Sequence, residues 1–193
     1  VAAASSCKKQ VIGIDGGLPW SIPKDRELFK SLTREKILII GRRTLEECPS
    51  LVHVKHTSHC IIVSKSMRNL DDYKTKHVNC ELKIVRSFPE ALHCARNLAT
   101  ETSKDNNNSL QCWVGGGQSL FEKALRHPSA AEIHLSWVQL EMDISSNNEY
   151  ARFPAKYRWD HKFKPFSEKL YPGNPKTPSF VYSIYKLQKQ MDS

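Results

Sequence analysis

The residues best suited to chemistry lie in one short stretch, Gly17-Leu18-Pro19-Trp20-Ser21-Ile22-Pro23-Lys24-Asp25-Arg26-Glu27-Leu28-Phe29-Lys30. A Pro-bounded loop carrying an indole runs into a segment with helical spacing. If residues 24–33 are helical, Asp25, Leu28, Phe29 and Leu32 share one face. A carboxylate on the apolar face of a helix is costly to bury without a partner. Three roles are open to Asp25. It caps the helix, it pairs with a base in the core, or it forms the floor of a ligand pocket. In the third role its pKa is raised and its two oxygens aim at a ligand's N–H groups. The residues alone do not choose among these roles.

A second kind of chemistry is anion binding at strand-to-helix turns. Val114-Gly115-Gly116-Gly117-Gln118-Ser119 joins a strand-like run to a helix-like one. Glycines let backbone approach a ligand closely, and a helix start offers unpaired N–H groups. The spacing is neither the dinucleotide fingerprint nor a P-loop. Gly41-Arg42-Arg43-Thr44 repeats the pattern with two guanidiniums and a hydroxyl. Ser64-Lys65 follows a third strand-like run. In an α/β sheet, strand ends at one edge form the usual binding crevice. Three such turns favour a large polyphosphate cofactor over isolated structural turns.

The elements that must position these residues alternate in type, which suggests an α/β fold. Val1–Ala4, Val11–Ile14, Lys36–Ile40, Cys60–Val63, Ile84–Val85, Gln111–Val114, Ile133–Leu140 and Phe180–Leu187 read as strands. Arg42–Glu47 reads as a short helix. Ser87-Phe88-Pro89-Glu90 is a capping box, followed by Ala91, Leu92, Ala95, Leu98 and Ala99 on one helical face. Leu120, Phe121, Ala124 and Leu125 mark another helix. Thr100–Ser109 and Asn147–Ala155 read as loops, and Pro165–Pro178 as a Pro-rich lead into the last strand. One domain spanning residues 1–193 is expected from the length.

Composition narrows the class. The 193 residues are 39% hydrophobic and 25% charged, ordinary for a globular chain. No run approaches the length that spans a bilayer, so no membrane partner is expected. The net charge of +9 suits phosphate-bearing ligands, although solvated surface lysine accounts for most of it. Without a long basic run or a basic-aromatic array, no nucleic-acid partner is expected. The six cysteines, including Cys48, have irregular spacing and no C-x-x-C, which fits reduced thiols inside a cell. The expected compartment is the cytoplasm. An organelle is the alternative, because the chain begins at Val1 rather than Met and a leader can have been trimmed. His53, His56 and His59 lack a matching carboxylate, so no metal is expected.

The ordered set of motifs resembles the dihydrofolate reductase family. It comprises Val11-Ile12-Gly13-Ile14 with Gly16-Gly17-Leu18-Pro19-Trp20; Pro23, Asp25 and Phe29-Lys30; Ile39-Ile40-Gly41-Arg42-Arg43-Thr44 with Glu46; Ile61-Ile62-Val63-Ser64-Lys65; Val114-Gly115-Gly116-Gly117; and Leu135-Ser136. These pieces span roughly residues 1–140. The resemblance implies a single-domain α/β fold, a mixed and mostly parallel eight-stranded sheet flanked by helices. It implies NADPH as cofactor and dihydrofolate or a related pterin as small-molecule substrate, with hydride delivered to pterin C6. Asp25 is then the acid that binds pterin N3 and the 2-amino group, Trp20 the indole that holds a water near the pterin, and Leu18 part of the loop closing over the nicotinamide. Ala3, Arg26, Phe29, Cys48, Val114 and Ser136 match substrate-side positions. Ala4, Gly13, Ile14, Gly17, Leu18, Gly41, Arg42, Arg43, Thr44, Val63, Ser64, Lys65, Val114, Gly115, Gly116, Gly117, Gln118, Ser119 and Leu120 match cofactor-side positions. Arg43 and Lys65 fall where basic side chains meet a 2′-phosphate, which favours NADPH over NADH. Some members of the family are fused to a thymidylate synthase, so fusion to or association with that enzyme is a partner arrangement the resemblance admits.

Two departures bear on the substrate. The family carries an arginine before the strand at Cys60–Val63 that grips the folate α-carboxylate, and Ser58 occupies that register. Arg26 stands where an apolar residue is usual. Leu45 and Leu120 replace a common tryptophan and tyrosine as packing changes. Beside the dihydrofolate reductase reading stand two alternatives: a reductase of the same fold acting on a different pterin or related heterocycle, and a non-catalytic regulatory relative.

Overall fold

In the computed structural model the described residues are 2–5, 10–47, 51–74, 80–106, 110–142 and 149–188. They fall into two compact units, Arg26–Leu120 and the pair of segments Val1–Asp25 and Phe121–Ser193.

In chain order the elements are β1 (Ala2–Ser5), β2 (Val11–Ile14), α1 (Pro23–Thr33), β3 (Ile37–Gly41), α2 (Arg42–Glu46), β4 (His59–Val63), α3 (Asp71–Lys74), β5 (Glu81–Val85), α4 (Phe88–Asn106), β6 (Cys112–Gly116), α5 (Gln118–Arg126), β7 (Glu132–Val138), β8 (Tyr150–Arg152), β9 (Phe163–Tyr171) and β10 (Phe180–Leu187). Pro23 opens α1, where its missing N–H costs nothing and its fixed φ suits the first turn.

The unit Arg26–Leu120 holds an all-parallel sheet in the order β5-β4-β3-β6. Its central strands are buried on both faces, as β-branched runs such as Ile37–Ile40 require. Leu38, Ile40, Leu45, Leu51, Val54, Cys60 and Ile62 form the core on one side. At the start of α4, Ser87 Oγ accepts the Glu90 N–H at 3.3 Å, while the Glu90 carboxylate reaches back to the Arg86 N–H at 2.8 Å. The capping box is thus present, with its return bond one residue earlier than the usual pattern.

The other unit holds a sheet ordered β1-β7-β10-β9 and a two-stranded ribbon, β2-β8. β1 runs parallel to β7, whereas β10 is antiparallel to both β7 and β9. Phe121, Phe153, Trp159 and Tyr185 pack ring against ring, with centroids 5.0–6.2 Å apart.

Several expectations are corrected. The strands fall into three sheets rather than one eight-stranded sheet, because apolar runs mark buried strands but do not say which ladder each one joins. Thr100–Asn106 continues α4 instead of forming a loop, since a polar run without Gly or Pro has nothing to stop a helix. Residues 107–109 lie outside the described residues. Tyr150–Arg152 is β8, not loop. The nine-residue edge strand β9 starts before the Pro-rich lead and takes up its first half, and Pro165 sits at an irregularity in its pairing with β10. β5 extends back to Glu81 from the two residues expected.

Candidate active site

Asp25 lies in the first turn of α1 and is half-buried. Ser136 Oγ donates to Asp25 Oδ1 at 2.5 Å. Ser136 is fully buried in β7, where Ala3 of β1 pairs it on one side and Tyr182 of β10 on the other. Ala4 pairs with Trp137. The fully buried hydroxyl beside it is a fixed donor that orients the Asp25 carboxylate. Trp20 is buried, and its Nε1–H has no hydrogen-bond partner among the described residues. A buried indole N–H ordinarily finds an acceptor, so this one points to a ligand or water.

The loop before Trp20 begins with a two-residue hairpin. Ile14 and Gly17 exchange backbone bonds at 2.8 and 2.9 Å around Asp15 and Gly16, both at positive φ. Asp-Gly is the pair such a turn demands. Asp15 Oδ1 accepts the Glu149 N–H, and the Asp15 N–H donates to the Glu149 carbonyl. Gly13 packs beside Ala151, and the Leu18 side chain is 54% exposed.

In the unit Arg26–Leu120, two of the three anion turns come together. β3 and β6 are adjacent and both end in glycine before a helix. A Cβ on Gly41 would sit 3.6 Å from the Gly117 nitrogen and 3.8 Å from the Gly116 oxygen, and one on Gly117 would meet Thr44 Oγ1 at 3.5 Å. Gly115 is the extra residue where the β3–β6 register shifts. A Cβ there would lie 2.9 Å from Leu38 Cδ1 and 3.3 Å from Ile40 Cγ2, so a side chain at this position requires those two to shift. Val114 and Gln118 are half-buried, Ser119 is exposed and Leu120 is buried. Arg43 is exposed. Arg42 ion-pairs with Glu46 at 2.6 Å within α2.

The third turn follows β4. Val63 is half-buried, Ser64 is buried and accepts the Met67 N–H at 2.9 Å, and Lys65 is exposed. Sequence reasoning missed Arg86, whose guanidinium donates to the carbonyls of Ser64 at 3.0 Å and Met67 at 2.6 Å. An arginine one residue before the Ser87 capping box was the only available signal.

Phe29 is half-buried, with its ring edge-on to His56. Thr33 gives its hydroxyl proton to the Phe29 carbonyl and shares a 2.7 Å bond with His56 Nε2. Burial, with smaller contributions from Lys30 and Arg34, lowers the His56 pKa, and burial lowers that of His53 to about 4. Ser58 Oγ bonds His59 Nδ1 at 3.1 Å, and His59 faces Glu81. Arg26 is exposed. Cys48 lies outside the described residues. Among the described residues no cluster of metal-ligating side chains is found, and no helix is long and apolar enough to cross a membrane.

The dihydrofolate reductase family model matches residues 1–175. A dihydrofolate reductase from Heliothis virescens is 24% identical over 195 residues, which cover 95% of this chain and 94% of that one. A bifunctional dihydrofolate reductase-thymidylate synthase of Arabidopsis thaliana is 24% identical over 154 residues, 74% of this chain but 25% of the longer protein. The solved dihydrofolate reductase from Enterococcus faecalis, complexed with NADP(H) and RAB-propyl, superposes with a TM-score of 0.70 at 17% identity, covering 97% of this chain and 95% of that one. A match over residues 1–175 of the 193 means that the chain belongs to the dihydrofolate reductase family.

Proposed function

We propose that this protein is an NADPH-dependent reductase of dihydrofolate. The observation that carries the reading is the half-buried Asp25 carboxylate oriented by the buried Ser136 hydroxyl. A carboxylate held in this way offers acceptors to two adjacent N–H donors, the pattern presented by pterin N3 and the 2-amino group. Asp25 fixes the ring's orientation and raises the basicity of the ring system, while N5 takes its proton from solvent. The unpartnered Trp20 N–H is a donor for a water at the same end. The Leu18 loop excludes bulk water when it closes.

The residues of the other unit fit the cofactor. Gly41 and Gly117 leave backbone bare where a phosphate can approach, and Thr44 adds a hydroxyl. Lys65 and Arg43 supply charge for a 2′-phosphate. When bound, NADPH supplies the hydride received at pterin C6. The NADP(H) held by the Enterococcus faecalis relative supports this reading, and the bifunctional plant relative supports fusion to or association with thymidylate synthase.

A second reading, reduction of a pterin without a glutamate tail, is favoured by Ser58, whose hydroxyl is engaged by His59 where the family places an arginine. Losing such a charge-assisted fork costs about 1.5–3 kcal/mol of tail binding.

Loss of NADPH absorbance with dihydrofolate and with a tail-less dihydropterin tests both readings. Dihydrofolate is expected to turn over better; equal kcat/KM for the two substrates would select the second reading. Asp25→Asn is expected to lower kcat/KM by at least about 100-fold while NADPH binding persists. Near-normal turnover by this variant would overturn the role of Asp25.

A further inference from the structure

The turn at residues 51–57 breaks two local rules in a short space. Leu51 is fully buried and holds φ at 53°, a conformation that strains a bulky residue. Its carbonyl accepts the N–H groups of Val54 and Lys55 at 3.0 and 2.9 Å, and the buried Thr57 hydroxyl donates to the Val54 carbonyl at 2.7 Å. The turn so built holds His56 against the end of α1, where the Glu35 N–H donates to the His56 carbonyl at 2.9 Å. The His56 ring breaks the second rule. Its Nδ1 is buried and closes no hydrogen bond among the described residues. Strain and an unmet polar atom both cost stability, and such costs persist where function needs them.

The other ring nitrogen is engaged. His56 Nε2 and the Phe29 carbonyl each lie 2.7 Å from Thr33 Oγ1. A carbonyl can only accept, so the single proton of the hydroxyl goes to Phe29. The bond to His56 then exists only if Nε2 carries a proton and donates it to the Thr33 oxygen. Burial, then Lys30 and Arg34 on α1, lower the His56 pKa, although the nearby Val52 carbonyl favours a proton. The ring is therefore neutral near pH 7 and its Nδ1 is bare. Phe29 is held in two ways from this side. Thr33, four residues further along α1, ties its carbonyl to the bond from His56. The His56 ring also stands edge-on to the Phe29 ring, with centroids 6.2 Å apart. Elsewhere on the same ring, Phe29 Cζ lies 3.5 Å from the place a Cβ on Gly115 would take.

We propose that His56 is a positioning residue for Phe29, acting through the Thr33 hydroxyl, and that the protein keeps it at a cost in stability. The consequence for turnover rests on the reading of Phe29 as a substrate-side residue of a dihydrofolate reductase; the brace itself does not. With Nε2–H in place, the end of α1 and the turn 51–57 hold Phe29 in one position. Without it, the Thr33 oxygen loses its donor and the ring edge beside Phe29 is gone. A substrate then has to order Phe29 as it binds, which weakens binding and leaves the chemical step alone.

His56→Leu fills similar space without polar atoms. It removes the buried, unmet Nδ1, so melting temperature is expected to hold or rise. KM for dihydrofolate is expected to rise about 10-fold with kcat within about twofold, because the lost interaction serves ground and transition states alike. His56→Gln keeps an N–H at the reach of Nε2 and is expected to recover most of the loss. Thr33→Val removes the middle link, so adding it to His56→Leu is expected to change KM little further. A merely structural role predicts instead that KM worsens only as melting temperature falls. An unchanged KM in His56→Leu, a His56→Gln variant no better than His56→Leu, or effects of His56→Leu and Thr33→Val that simply add would overturn the proposal. If His56→Leu fails to fold, the ¹⁵N shifts of His56 in the unmodified protein decide: a neutral ring protonated at Nε2 is expected, and one protonated at Nδ1 contradicts the brace. If the unmodified protein does not turn over dihydrofolate, the reductase reading fails by itself. The brace is then read from the Phe29 ring resonances, which are expected to move in His56→Leu and return in His56→Gln; resonances unmoved in His56→Leu contradict it.

Discussion

His53 shows how far a single side chain can govern stability. Both ring nitrogens are buried, and burial lowers its pKa from 6.5 to about 4. A base with a lowered folded pKa binds fewer protons folded than unfolded. Its contribution is present in full above pH 6.5 and is lost as pH falls toward about 4. A shift of that size corresponds to roughly 3 kcal/mol, and the lowered pKa of His56 adds to it in the same direction. Urea midpoints are therefore expected to drop steeply between neutral pH and pH 4, and His53→Leu to flatten that drop. An equally steep fall in His53→Leu would assign the acid sensitivity elsewhere. The sequence held the three histidines in plain view but not their burial, since their segment has no periodicity to show which of them faces inward. Asp25 was legible because helical spacing put it in line with Leu28 and Phe29. Its partner Ser136 is 111 residues away and came only through resemblance. His134 and Tyr182, a buried pair joined at 2.5 Å, carried no signal, because a polar pair across two strands depends on register, and register is not written in either strand alone.

The strand-to-helix turns were legible as elements: a β-branched run, a glycine, then helical spacing is a local pattern. Arg86 shows what that pattern omits. It follows β5 directly and reaches across to the turn after β4, tying down the carbonyls on either side of Lys65. Its backbone N–H is itself held by Glu90 in the first turn of α4. Two elements thus fix the turn that presents Lys65, which the proposed function assigns to the cofactor. Arg86→Ala is expected to raise the KM for NADPH about 10-fold, with kcat nearly unchanged, because it removes binding common to ground and transition states. Arg86→Lys is expected to recover part of that loss, since one nitrogen, Nη1, makes both bonds and an ammonium also carries several donors. A fall in kcat with KM unchanged would contradict this placement. β8 and β9 were illegible for a related reason. β8 is three residues long, and β9 is exposed along nearly its whole length, with Phe166 and Leu170 among lysines and a glutamate. An edge strand with neither face covered needs no apolar alternation, and its Pro165 and charges guard the open edge.

At the scale of the whole molecule, the residues matched to the cofactor divide unevenly between the two compact units. The three turns Gly41–Thr44, Ser64-Lys65 and Gly115–Leu120 all belong to the unit Arg26–Leu120. The hairpin around Asp15 and the carboxylate of Asp25 belong to the other. The net charge of +9 favours phosphate at any cationic surface, so charge alone does not say where NADPH binds. The proposed cofactor site rests on bare backbone instead: Gly41 and Gly117 face each other where a side chain on either would narrow the gap, and a Cβ on Gly115 would press on the Leu38 and Ile40 side chains. NADPH should therefore slow amide exchange chiefly in peptides covering residues 41–44, 64–67 and 115–120, and leave the β9–β10 hairpin unchanged. At 100 times its Kd a ligand adds about 2.7 kcal/mol to stability, which for a chain of this length raises Tm by several degrees. Protection centred on β9 and β10, or a Tm unmoved by saturating NADPH, would remove the glycine turns as the cofactor site. A Tm rise with protection at all three turns, lost at residues 64–67 in Arg86→Ala, would tie the cofactor to the turn that Arg86 holds.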